Sequence, residues 1–93
     1  MLFAVTCLDK PNSAELRLAN RAAHLEYAKT QPLIIGGPFL SDDGERMIGS
    51  LLVVDAPDRK ALDAILAADP YAKAGLFESV TVRRFKKVLP LAE

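Results

Sequence analysis

Cysteine occurs once in these 93 residues, as Cys7, in a segment that reads as a strand. Neither a disulfide framework within the chain nor a thiolate metal cluster can be built from it, and its expected role is packing. Histidine also occurs once, as His24. With acids scattered around it, no zinc-ligand spacing arises and no metal site is expected. Charge of one sign is missing as well: twelve Lys and Arg balance twelve Asp and Glu. Nothing global therefore draws the chain to nucleic acid or to an anionic membrane. No apolar run approaches the roughly 18 residues of a membrane span, and no basic start leads into an apolar targeting segment. No GxGxxG or Walker pattern opens onto a helix, so Gly36-Gly37-Pro38 is not a phosphate loop and no cofactor is expected. These absences point to a cytoplasmic chain that works with its own side chains.

What remains is a globular composition, 51% hydrophobic and 26% charged, in a length that suits one domain over residues 1–93 with a real but small core. So high an apolar fraction in so short a chain favours a homo-oligomer. Leu2 to Leu8, apolar with β-branched members, reads as a buried strand. Asp9-Lys10-Pro11-Asn12 breaks it, and Asn12 or Ser13 caps a helix to about Lys29, with Glu15 completing a capping box on Asn12. On this helix Ala14, Leu18, Ala22 and Leu25 form the expected core stripe, and Arg17, Arg21, His24 and Ala28 form a ridge on its shoulder.

Leu33 to Leu40 and Met47 to Val54 read as a hairpin across the turn Ser41-Asp42-Asp43-Gly44. Gly36-Gly37-Pro38 marks a close backbone approach at a cleft wall. Asp55 is the expected cap of a second helix with Pro57 in its first turn. Tyr71 to Ala74 reads as a short helical turn ended by Gly75, Val80 to Phe85 as the last strand, and Lys86 to Glu93 as a tail whose Val88, Leu89 and Leu91 could dock on a partner. The order β-α-β-β-α-β is the ferredoxin-like split βαβ arrangement, a four-stranded antiparallel sheet with both helices on one face. Its bare second face would be buried if two sheets packed together as a dimeric α+β barrel.

On the second helix, Leu62, Ile65 and Leu66 recur at helical spacing and Asp69 continues their stripe. An acid thus points at the core from a helix C-terminus, where the macrodipole disfavours it, and Pro70 stops the helix there. Such an acid needs a partner, and His24 is the obvious one. Paired, Asp69 would fix the imidazole tautomer and leave the other nitrogen to take a proton. The plain alternative is a hydrogen bond closing a polar gap between helices. Around the pair, Arg21 could hold an anionic group, Ser50 could hydrogen-bond a ligand, Gly37 would let it approach, and Tyr71 offers a ring wall; each has an ordinary packing or surface reading too.

Arg21-Ala22-Ala23-His24-Leu25, Gly36-Gly37-Pro38, Gly49-Ser50 and Asp69-Pro70-Tyr71 with Gly75-Leu76 span most of the chain. In this order and spacing it resembles the YciI-like (YCII-related) family of small proteins. The resemblance implies a ferredoxin-like fold, dimers of the barrel type, and His24 and Asp69 as a cleft pair proposed as the active site. One branch of that family is associated with elimination of halide from a chlorinated hydroxylated aromatic ring. Two functions follow: a cofactor-independent enzyme taking a proton from a polar, anionic or phenolic small molecule, in isomerisation or elimination, or a non-catalytic dimer binding a metabolite or serving as an accessory in the same cleft.

Overall fold

In β1, Leu2–Asp9, alternate residues Phe3, Val5 and Cys7 are buried, so this strand puts one full face into the core. It lies inside the sheet, antiparallel to β3 (Met47–Asp55) on one side and to β4 (Phe77–Phe85) on the other. β2 (Leu33–Leu40) pairs outside β3, giving the order β2-β3-β1-β4. Helices α1 (Ala14–Ala28), α2 (Arg59–Ala68) and the short α3 (Pro70–Lys73) complete the chain. These elements come from a computed structural model that describes residues 1–91. The architecture is the ferredoxin-like α+β fold with its helices on one face of an antiparallel sheet.

Leu52 and Val54 of β3 join Phe3, Val5, Cys7 and Leu62 in the core beneath the helices. Ser50 shares that face by alternation. Ile65 and Leu66 pack against the cluster, as the apolar stripe of α2 requires. At Gly49 the backbone approach is so close that an added Cβ would run into the Cys7 carbonyl oxygen.

Several local expectations are corrected. On α1, Leu18 is 72% and Leu25 44% exposed, while Arg17 is buried and His24 and Tyr27 are largely covered. The inward face is therefore the ridge of Arg17 and His24, whose polar groups meet Asp9 and Asp69 inside. Ser13 sits at the N-cap without a side-chain cap bond, its hydroxyl donating instead to the Pro11 carbonyl, and Asn12 takes φ 58°. The cap of α2 is Asp58, which accepts from the Ala61 N–H. Asp55 ends β3 and pairs with the N-terminal ammonium, leaving Pro57 just outside the helix. β4 begins at Phe77, which pairs with Asp9 across an irregularity. Residues Lys86 to Leu91 carry no regular structure, and the last two residues of the expected tail lie outside the described residues.

Candidate functional site

The corner between α2 and α3 is made by Asp69, whose extended backbone (φ −62°, ψ 128°) ends one helix and starts the next. Its Oδ1 accepts the Tyr71 N–H at 2.9 Å, so the carboxylate caps α3. The unfavourable α2 terminus is offset by the favourable N-terminus of α3, with Pro70 as its first residue. The same Oδ1 lies 2.9 Å from His24 Nδ1. A carboxylate oxygen can only accept, so Nδ1 is the donor, and in the neutral ring Nε2 is the nitrogen left with a lone pair.

Tyr71 completes the arrangement. Its ring stacks on the imidazole with centroids 4.0 Å apart and planes 13° from parallel. The Arg17 guanidinium lies 4.6 Å from the centre of the same tyrosine ring. Arg17 is itself fixed: Nε donates to Asp9 Oδ2 at 2.7 Å, Nη2 to Asp9 Oδ1 at 3.1 Å, and Nη2 also to Ser50 Oγ at 2.8 Å. Burial works against the guanidinium charge, but the hydrogen bond and charge of Asp9 prevail and raise its pKa further. Burial also raises the Tyr71 phenol, against the opposing charge of Arg17. Tyr27, whose hydroxyl donates to the Ile65 carbonyl at 2.7 Å, is raised by burial and by the nearby Asp69. Behind the pair, burial and the Asp69 and Asp9 charges push the Cys7 thiol up to about 12.

A cavity of about 170 Å³ opens between α1, β2 and β3. His24, Arg21, Ser50, Tyr71 and Gly37 all line it, as does Arg17. Asp69 does not; it stands behind His24, as Asp9 stands behind Arg17. The cavity wall thus presents polar donors with no carboxylate among the described lining residues, together with apolar Leu25, Leu33 and Leu52. Pro38 and Gly36 face the helices with Ser50 and Leu52, while Gly37 reaches the cavity only as backbone. Asp9 and Arg17 were missed by periodicity, although Arg17 shares the ridge of Arg21 and His24. Among the described residues no three His, Cys, Asp or Glu side chains gather in a way that would hold a metal ion. Among the described residues no helix is long and apolar enough to cross a membrane.

The sequence model of the YCII-related domain matches residues 1–86. The chain belongs to the YCII-related family. The "Protein YciI" of Escherichia coli O6:H1 (strain CFT073) is 35% identical over 97 aligned positions, covering 95% of this chain and 99% of the relative. Among solved structures, the 5-chloro-2-hydroxyhydroquinone dehydrochlorinase TftG from Burkholderia phenoliruptrix AC1100, in complex with 2,5-dihydroxybenzoquinone, superposes with a TM-score of 0.86 and 36% identity. That match covers 92% of this chain and 94% of TftG. An antibiotic biosynthesis monooxygenase shares the fold at TM-score 0.58 and 19% identity, over 95% of this chain and 99% of its own. This YCII-related chain therefore carries the family's fold along its length, with the His24–Asp69 contact and the cavity on the helix side of the sheet.

Proposed function

We propose that the chain is a small enzyme that removes a proton from a polar ring compound, phenolic or anionic, and so catalyses an isomerisation or elimination. The observation that carries this reading is the 2.9 Å contact from His24 Nδ1 to Asp69 Oδ1 beside a cavity that His24 lines. In this reading His24 Nε2 is the general base, Asp69 fixes its tautomer, and Arg21 holds an anionic oxygen at the rim. Tyr71 orients the imidazole and gives a planar ligand a wall. The likeness to TftG, a dehydrochlorinase bound to a dihydroxybenzoquinone, supports both the reaction class and the ligand class.

Wild-type protein is expected to release chloride from 5-chloro-2-hydroxyhydroquinone, with His24→Ala folded and inactive. Full activity in that variant removes His24 from the mechanism. Tight binding of the compound by wild type with no chloride released would leave the cleft a recognition site only.

The enzyme works as a homodimer in this reading. The sheet face away from the helices exposes Leu8 (50%), Ile35 (55%) and Phe85 (44%), apolar area that a second sheet would cover. Light scattering on the purified protein should give twice the chain mass, and Ile35→Lys should give the monomer. A wild-type monomer at tens of micromolar would rule the dimer out.

A further inference from the structure

We infer that a second cavity, behind the His24–Asp69 contact and opening at the edge of β4, binds a small phenol: one ring, otherwise carbon, whose single hydroxyl donates to Asp69 Oδ2. It is separate from the cavity that His24 lines and does not depend on His24 being a base.

The unused oxygen of Asp69 carries the inference. Oδ1 accepts both from His24 Nδ1 and from the Tyr71 N–H. Among the described residues Oδ2 has no hydrogen-bond partner, although Asp69 is only 5% exposed. Every sealed side-chain nitrogen and oxygen among those residues does have a partner, so Oδ2 must border open space. Asp69 does not line the cavity of His24 and Arg21. It borders a gap of about 10 Å³ beside Tyr27, which has room for no more than one water, and a cavity of about 220 Å³ on its far side.

Leu66 and Ala67 of α2, Ala72 of α3, Phe77 and Val80 of β4, and Cys7 of β1 wall the larger space. Val80 faces the same side of the sheet as its partner Cys7 but stays half exposed, because β4 is an edge strand and the helices stop short of it. That leaves a mouth. The Cys7 thiol, pushed up to about 12, is neutral at pH 7, so Asp69 is the one charged group on the described wall.

An apolar cavity of about 150 Å³ takes benzene, so this volume suits one ring with a small substituent. One free acceptor calls for one donor. An ammonium would bring three and leave two unpaired against carbon, whereas a phenol brings one. With an ordinary pKa of about 10 the phenol keeps its proton, and its bond to the carboxylate is charge-assisted. Both oxygens belong to one carboxylate, so a ligand on Oδ2 draws negative charge away from the contact with His24.

p-Cresol at neutral pH is the probe, and toluene is the control that lacks the donor. In methyl NMR spectra p-cresol should shift Ala67, Ala72 and Val80 with a Kd on the order of 1 mM, and toluene should bind at least ~10-fold more weakly. Asp69→Asn, with its amide nitrogen in the place of Oδ2, should bring the two affinities within a few-fold. Ala67→Leu and Ala72→Leu each fill the cavity with a good helix former and should abolish the Val80 shift. The methyls of Leu25 and Met47 line the cavity of His24 and report on that one separately. Shifts confined to Leu25 and Met47 would place the phenol there and overturn the second site, as would no binding at all. Equal affinity for toluene in wild type overturns the role of Oδ2, and a Val80 shift that survives both leucine variants overturns the location.

Discussion

His24 and Tyr71 lie face to face, their ring planes within 13° of parallel. The tyrosine thereby fixes the imidazole from its flat side while Asp69 fixes it from its edge. Tyr71→Phe keeps the ring and should retain activity within a few-fold. Tyr71→Leu keeps apolar volume but not the plane, and, if His24 acts as proposed, a roughly 10- to 100-fold loss of activity is expected from misplacement of the imidazole. Because the chain has a single histidine, the ring protons of His24 report directly. They should be shifted upfield in wild type and Phe, and move downfield in Leu.

Asp69→Asn preserves a good helix cap, so the Tyr71 N–H keeps a partner and the melting temperature should change by only a few degrees. The amide oxygen that keeps the cap places no charge against Nδ1, so the ring loses the charge-assisted bond that holds its proton there. Nitrogen-15 shifts of His24 should then reveal loss of the pure Nδ1–H tautomer, together with a fall in turnover of roughly 100-fold or more. An unchanged tautomer would show that Asp69 does not set it.

Arg17 and Asp9 form an ion pair whose side chains are each only 6% exposed. Removing one partner leaves a buried charge, so Asp9→Ala or Arg17→Met alone should destabilise the fold by about 3–5 kcal/mol. The double replacement by apolar residues should cost distinctly less than the sum of the two. Urea unfolding of the four proteins measures the coupling, and simple additivity would mean that the pair contributes nothing as a pair.

The apolar, β-branched run of β1, the stripe Leu62–Ile65–Leu66 and the breaks at Pro11, Gly44 and Gly75 are local patterns, and they prescribe the β-α-β-β-α-β order directly. Asp69 stood out because a charge interrupted an apolar stripe. Arg17 did not stand out, since an arginine among leucines reads as surface until its partner is known. That partner is Asp9, eight residues earlier on another element, beyond the reach of helical periodicity. The same limit explains Asp55. It looks like a cap by position, but the N-terminal ammonium of a neighbouring strand claims it, and Asp58 performs the capping.

Cys7 gives a pH dependence of stability with a definite sign. Its thiol is raised from 9.0 to about 12, first by burial and then by the Asp69 and Asp9 charges. Its contribution is therefore fully present below pH 9.0, where it is neutral in both states. As pH climbs from 9.0 through about 12 the unfolded chain ionises first and the contribution is lost. Tyr71 and Tyr27, also raised by burial, add to the loss at the alkaline end. Denaturant midpoints across this range should fall with pH, and Cys7→Ala should flatten the first part of the fall. A slope unaffected by that substitution would place the titration elsewhere.

Asp69 is at once the C-cap of one helix and the N-cap of the next. The carboxylate that faces His24 is thus in place only while the four-residue helix α3 is wound. Every opening of that single turn disconnects the imidazole and releases the Tyr71 amide together, in one local event. Hydrogen exchange at that one amide consequently counts the fraction of molecules whose site is assembled, and a ligand gripping the cavity should slow it by its own binding free energy.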